Sequence, residues 1–244
     1  NAILNTGNTP FAIPCNPYDF TIDLKYLESV NVHSKKIDLL VMTLPFGNYN
    51  ENINSIINIC ERIGIPVIID AAASIGLDFS AIENVLKKCV SVCLSFNGNK
   101  VITSGAGGSI LSGDLDIIER ARSLISLNRM SNYEHSAPGQ NKKMPALNAA
   151  LGQSQFLELE EKLLNRSKIY GLYKSFTDDF YNLGFQLFPQ NQYSLNAHWI
   201  YFLNPITSRL NVNIFREHLK KNGFNSPAFW KPVSKQALYK KFIM

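Results

Sequence analysis

Two reactive side chains stand out because of what surrounds them. Lys100 lies in Ser95-Phe-Asn-Gly-Asn-Lys-Val-Ile-Thr-Ser-Gly-Ala-Gly-Gly108, where the apolar run of Val90, Val92, Leu94 and Phe96 gives way to small and polar residues. A period of two followed by such residues predicts a strand delivering the lysine into a loop. A lysine there can be a nucleophile, because partial burial lowers its pKa and frees the amine to form a Schiff base with a carbonyl. The glycines allow positive φ and a close approach of a flat ligand or a phosphate to the backbone. Upstream, Asp70 closes the run Ile65-Pro-Val-Ile-Ile-Asp and is followed by Ala71, Ala72 and Ala73. A carboxylate at the C-terminal end of a parallel strand points into the ligand crevice of an open α/β sheet, and the alanines leave room for something flat.

Positioning these groups takes an alternation of strands and helices, and the chain has one. Ile37 to Leu44 reads as a buried strand closed by the turn Pro45-Phe-Gly-Asn48, and Asn52 to Gly64 as a helix with the stripe Ile53, Ile56, Ile57, Cys60 and Ile63. Ser80 to Lys88 is predicted helical, Cys89 to Phe96 a strand, and Gly108 to Ser112 a further short strand. Such alternation implies a parallel sheet with helical crossovers. Before it, Thr9 to Pro14 is predicted to be an outer strand and Asp23 to Val30 a short helix; after it, Leu115 to Leu127 is a helix with Asp114 and Asp116 as N-terminal caps. The polar stretch Asn128 to Met144 is irregular, and Ala146 to about Tyr181 is one long helix with a small face of Ala146, Ala149, Ala150 and Gly152. Phe185 to Phe188 and His198 to Leu203 are predicted strands, and Val212 to Asn222 a helix capped by Gly223.

Composition narrows the function. With 244 residues, 45% of them hydrophobic, the chain can bury a sizeable core. The net charge of +5 comes from scattered lysines in short clusters such as Lys35-Lys36, Lys87-Lys88, Lys142-Lys143 and Lys240-Lys241, without an aromatic-interleaved basic stripe, so nucleic acid is not the expected partner. Cys15, Cys60, Cys89 and Cys93 lack metal-ligand or redox spacing, and His33, His135, His198 and His218 form no metal pair. No apolar run has membrane-spanning length and no signal-peptide pattern opens the chain, which makes the cytoplasm the expected location.

An aspartate at one strand end, with a serine and then a lysine after the next strand, matches what pyridoxal phosphate requires: a pyridinium partner, a phosphate donor and a Schiff-base lysine. The segments Ile68-Ile-Asp70-Ala-Ala and Ser95-Phe-Asn-Gly-Asn-Lys100 resemble the DegT-type sugar-nucleotide aminotransferases. A third segment, Gly139-Gln-Asn-Lys-Lys-Met-Pro145 with the alanine-rich stretch after it, is similar to the family's Gly-x-Asn-x-Arg-Met segment.

The resemblance implies an α/β chain: a three-layer α/β/α large domain over residues 1–150 with a mostly parallel sheet, and a long connecting helix with a small α+β domain over 151–244. It implies a homodimeric transaminase moving an amino group from an amino acid, L-glutamate by expectation, to a nucleotide-linked keto-sugar in amino-sugar, surface-polysaccharide or antibiotic biosynthesis. By the same resemblance Lys100 would carry pyridoxal 5′-phosphate, Asp70 would hold its ring nitrogen, Ala72 would lie under the ring, Ser95 would donate to the phosphate, and Asn141 would reach the phosphate of the other subunit. Three departures stand out. Ala73 replaces a polar residue, Ser234 replaces a histidine after Phe229-Trp-Lys-Pro-Val, and a front portion with a phosphate-binding turn has no counterpart before Ala2-Ile-Leu-Asn. A sugar dehydratase and an incomplete, non-catalytic member of the same fold are the alternative readings.

Overall fold

The isoleucine stripe of the second predicted helix decides where the core lies. A helix forms at Ile53–Arg62, and its residues Ile53, Ile56, Ile57, Ile59 and Cys60 are all buried. They pack on one face of a four-stranded sheet. In this computed structural model every residue is described except 18, 31–36, 50, 78–82, 189–196, 208–209 and 240–244, together with the side chain of Leu86. The predicted helix start at Ser80, His33 and the lysine pairs 35–36 and 240–241 therefore lie outside the described residues.

In chain order the elements are α1 (Ala2–Asn5), α2 (Leu24–Ser29), β1 (Leu40–Thr43), α3 (Ile53–Arg62), β2 (Val67–Asp70), α4 (Glu83–Lys88), β3 (Ser91–Ser95) and β4 (Gly108–Leu111). They continue with α5 (Leu115–Ile125), α6 (Ala146–Leu157), α7 (Leu159–Ser175), α8 (Thr177–Asn182), β5 (Phe185–Leu187), β6 (Leu203–Pro205) and α9 (Val212–Lys221). The large sheet runs β1-β2-β3-β4, with β1, β2 and β3 parallel and β4 antiparallel to β3. Helices join the parallel strands, as parallel pairing demands. Register aligns Met42, Ile69 and Val92 across the three strands, each at most 1% exposed. Full burial of one such side chain is worth roughly 1.5–3 kcal/mol.

The other face of the sheet is open at its two outer strands: Val41 of β1 is 41% and Ile110 of β4 44% exposed. A second sheet pairs β5 with β6 antiparallel, Phe185 opposite Pro205 and Leu187 opposite Leu203. The long helix of the sequence forms as three segments, broken at Glu158 and Phe176. Asp114 caps α5 by accepting from the Asp116 N–H at 2.9 Å.

Two expected strands are corrected. Thr9 to Pro14 forms no strand; pairing in that region shrinks to the single bridge between Cys15 and Ile22, because Pro10 and Pro14 have no N–H to give a ladder. The strand placed at His198 to Leu203 forms later, at Leu203–Pro205, since His198 adopts a positive φ of 43° that ends any extended run there. Among the described residues no helix is long and apolar enough to cross a membrane.

Candidate active site

Parallel pairing brings the two reactive groups to the same end of the sheet. Asp70, the last residue of β2, stands in register with Thr43 of β1 and Cys93 of β3. Beyond Ser95 the chain folds back on itself: the Lys100 N–H donates to the Asn97 carbonyl, the Phe96 N–H to the Gly107 carbonyl and the Ser104 N–H to the Phe96 carbonyl, each at 3.0 Å. Lys100 is thereby held in a tight turn over the end of β3. Its partly buried amine is lowered from the ordinary lysine pKa by loss of water, and the Asp70 carboxylate lies close enough to push it back up in part.

The carboxylate is itself fixed. Asp70 Oδ1 accepts the Ala72 N–H at 3.0 Å, a turn of side chain onto backbone. Its second oxygen has no hydrogen-bond partner among the described residues and is available to a ligand. The turn after β1 closes against the alanines: Gly47 has φ +84°, and a Cβ there would stand 2.6 Å from the Ala73 carbonyl oxygen. Only a glycine meets both demands.

Ser95 Oγ accepts the Asn97 N–H at 3.3 Å, which leaves the hydroxyl proton to be donated elsewhere. Asn141 bridges to Ser126 from an exposed position, and no hydrogen bond links it to Asp70, Ser95 or Lys100. Lys143 is exposed as well.

The glycine-rich segment after the lysine serves packing as much as ligand approach. Ser104 is fully buried, and its carbonyl accepts from Asn148 Nδ2 of α6 at 2.5 Å. A Cβ on Gly107, at φ +101°, would stand 2.7 Å from the Met144 methyl. A hollow of about 710 Å³ lies at the far end of β3, lined by Lys87, Lys88, Val90 and Asp114. Its lysines are engaged by Glu83 at 2.8 Å and Glu61 at 2.7 Å, and neither Asp70 nor Lys100 reaches it.

One neighbour of Lys100 had no signal in the local sequence. Trp199 places its ring centroid 3.9 Å from Lys100 Nζ, and its Nε1–H donates to the Asn99 carbonyl at 2.7 Å. Behind it, Arg166 of α7 donates to the carbonyls of His198, at 2.6 Å, and Trp199.

The arrangement agrees with what the chain is similar to. The model of the DegT/DnrJ/EryC1/StrS aminotransferase family matches residues 1–243. The chain belongs to that family. Among curated relatives, EpsN of Bacillus subtilis is 27% identical over 98% of this chain and 62% of its own length. The dTDP-4-amino-4,6-dideoxy-D-glucose transaminase of Escherichia coli is 27% identical over 100% of this chain and 65% of its own length. Among solved structures, the aminotransferase PseC of Helicobacter pylori, involved in pseudoaminic acid biosynthesis, superposes with a TM-score of 0.86 at 21% identity, covering 98% of this chain and 64% of that one. The chain thus spans under two-thirds of the length of these DegT-family relatives. The fold expected from the sequence, α/β with a mostly parallel sheet, is the fold of these neighbours.

Proposed function

We propose that this chain forms the catalytic part of a pyridoxal-phosphate aminotransferase that moves an amino group from an amino acid, expected to be L-glutamate, to the keto group of a nucleotide-linked sugar. One observation carries the reading: Asp70, at the end of β2, and Lys100, in the turn that follows β3, lie at the same end of the parallel strands, near enough for the charge of one to act on the amine of the other.

The donor set suits the cofactor. Asp70 keeps one carboxylate oxygen unengaged, Lys100 presents a half-buried amine and Ser95 a hydroxyl proton, while Ala71 and Ala72 add no bulk. Bound pyridoxal phosphate supplies an aldehyde for covalent attachment and a ring that draws electrons from the substrate carbon. Asp70 would keep the ring nitrogen protonated, since a carboxylate beside it favours the charged form. Lys100 Nζ, with its lowered pKa, holds more free amine near neutrality than an exposed lysine, and would carry the proton lost from the substrate carbon. Ser95 Oγ–H would donate to the phosphate, and Ala72 would contact the ring face. The Ala73 side chain would offer the ring of the cofactor no polar partner.

Residues 1–150 would form the large domain and 151–244 the small one. Two features support a homodimer: Asn141 makes no hydrogen bond to Asp70, Ser95 or Lys100 of its own chain, and α6 exposes Leu147 at 86% and Leu157 at 87%. Asn141 would then serve the second copy's phosphate.

The test is spectroscopic. The complete polypeptide, mixed with pyridoxal phosphate, is expected to develop a visible band that borohydride removes, leaving the cofactor fixed to the peptide bearing Lys100. Lys100→Ala is expected to abolish the band and reduce transamination by at least ~10³-fold, the scale of losing a covalent catalyst. No band in the folded, complete protein overturns the assignment.

A further inference from the structure

Trp199 lies far from Lys100 in the sequence yet touches the lysine turn twice. Its ring lies 3.9 Å from Lys100 Nζ, within the range where a cation is drawn to an aromatic face. Its Nε1–H bonds the Asn99 carbonyl, the peptide group directly preceding the lysine. A side chain free only to pack would not need both contacts.

Trp199 is also anchored on three sides. Arg166 of α7 donates to its carbonyl and to that of His198. The Ala197 N–H donates to the Gly47 carbonyl at 2.9 Å, tying the segment to the turn after β1. The indole stacks on Trp230, with centroids 5.6 Å apart and planes 15° from parallel, and Trp230 in turn stacks on Phe46 at 6.3 Å. The backbone around Trp199 is thus held by α7 and the β1 turn, and its ring by Trp230 of the C-terminal segment.

We propose that Trp199 is a positioning residue for Lys100: the indole face confines the amine, and the Nε1–H bond to Asn99 holds the turn that aims it. This rests on the reading of Lys100 as the lysine that links to the cofactor. It makes the aim of that amine depend on chain far from the lysine strand, and on the guanidinium of Arg166 behind it.

The test separates linkage from binding. Pyridoxal phosphate can link to Lys100, whereas pyridoxamine phosphate has no aldehyde and can only bind. In Trp199→Leu, growth of the visible band with pyridoxal phosphate is expected to slow about tenfold, with pyridoxamine phosphate affinity unchanged within about twofold. Trp199→Phe, which keeps a ring face and loses the N–H, should fall between. An unchanged rate in Trp199→Leu overturns the proposal, and so does an equal loss of linkage and pyridoxamine phosphate affinity, which would mean a merely structural role.

A second measurement needs no cofactor and so stands even if the cofactor assignment fails. Reductive methylation with formaldehyde and cyanoborohydride near pH 8, mapped by peptide mass, compares Lys100 with the exposed Lys143. The wild-type ratio is expected to lie several-fold below that of Trp199→Leu, because the indole face covers the amine and attracts its protonated form. Equal ratios in folded wild type and variant overturn the positioning role on their own.

Discussion

Helices α3 and α6 are both rich in apolar residues, and they end in opposite situations. α3 buries five side chains against β1, β2 and β3. α6 buries none, and leaves Leu147 and Leu157 almost fully exposed. The difference is one of spacing. In α3 the isoleucines and Cys60 recur every three or four residues and gather on one side, so a single sheet face can cover them. In α6 the leucines, alanines and Phe156 are spread round the axis. It touches the sheet region through its small side instead, where Asn148 reaches Ser104 and a Cβ on Gly152 would come within 3.2 Å of the Ser104 Cβ. The first helix makes the core; the second is held by a few specific contacts.

The largest effect should therefore come from the core side. Ile56 is fully buried between α3 and the sheet. Ile56→Ala is expected to cost about 3 kcal/mol, the usual sum of lost burial and a residual cavity. Urea unfolding monitored by circular dichroism checks this. A loss under ~1 kcal/mol would mean that α3 is no better packed than α6 and would erase the contrast.

The contrast also explains what the sequence revealed and what it concealed. The core and its helix were legible because both are local patterns, a period of two in the strands and of three to four in α3. The positions of Asp70 and Lys100 were legible for the same reason: Asp70 closes an apolar run before three alanines, and Lys100 sits in the polar, glycine-containing stretch that follows the next apolar run, so each place follows from its neighbours. The strand expected at His198 was misplaced by tertiary contacts that no local pattern records. Arg166 claims the carbonyls of His198 and Trp199, and the Tyr201 hydroxyl donates to the Arg166 carbonyl at 2.7 Å, so this segment answers to α7 rather than to a neighbouring strand. Trp199 was hidden likewise, since the lysine turn it touches lies a hundred residues back. The strand expected at Thr9 failed for a local reason that its two prolines announce.

The junction between the two regions offers an intermediate effect. His198 is buried, its ring stacked on Tyr170 of α7 with centroids 5.1 Å apart. Burial, aided by the positive charge of Arg166, pushes its pKa down from 6.5 to about 4. A base whose protonation is disfavoured in the fold lets the unfolded chain bind the proton first. Stability is then fully present above about pH 6.5 and is lost as pH falls toward about 4. The expected loss across that window is on the order of 2 kcal/mol, given the usual conversion of 1.36 kcal/mol per pKa unit and partial relaxation of the site. Urea midpoints measured from pH 7.5 to 4.5 in wild type and His198→Phe check it; an equal slope in both would place the acid sensitivity elsewhere.

The smallest effect belongs to the surface of α6. Leu157 is 87% exposed, so Leu157→Gln removes no contact within the chain, and the unfolding midpoint of a dilute sample is expected to move by less than ~0.5 kcal/mol. If a second copy covers this helix, the wild-type midpoint rises with protein concentration, because association draws on the folded form alone. Leu157→Gln should flatten that rise while leaving the dilute limit in place. The two measurements pull apart what a single melting curve would merge: the stability α3 gives one chain, and the stability α6 gives only to a pair. A wild-type midpoint independent of concentration would leave α6 without a partner and remove the homodimer from the proposed function, while the core argument built on Ile56 would stand.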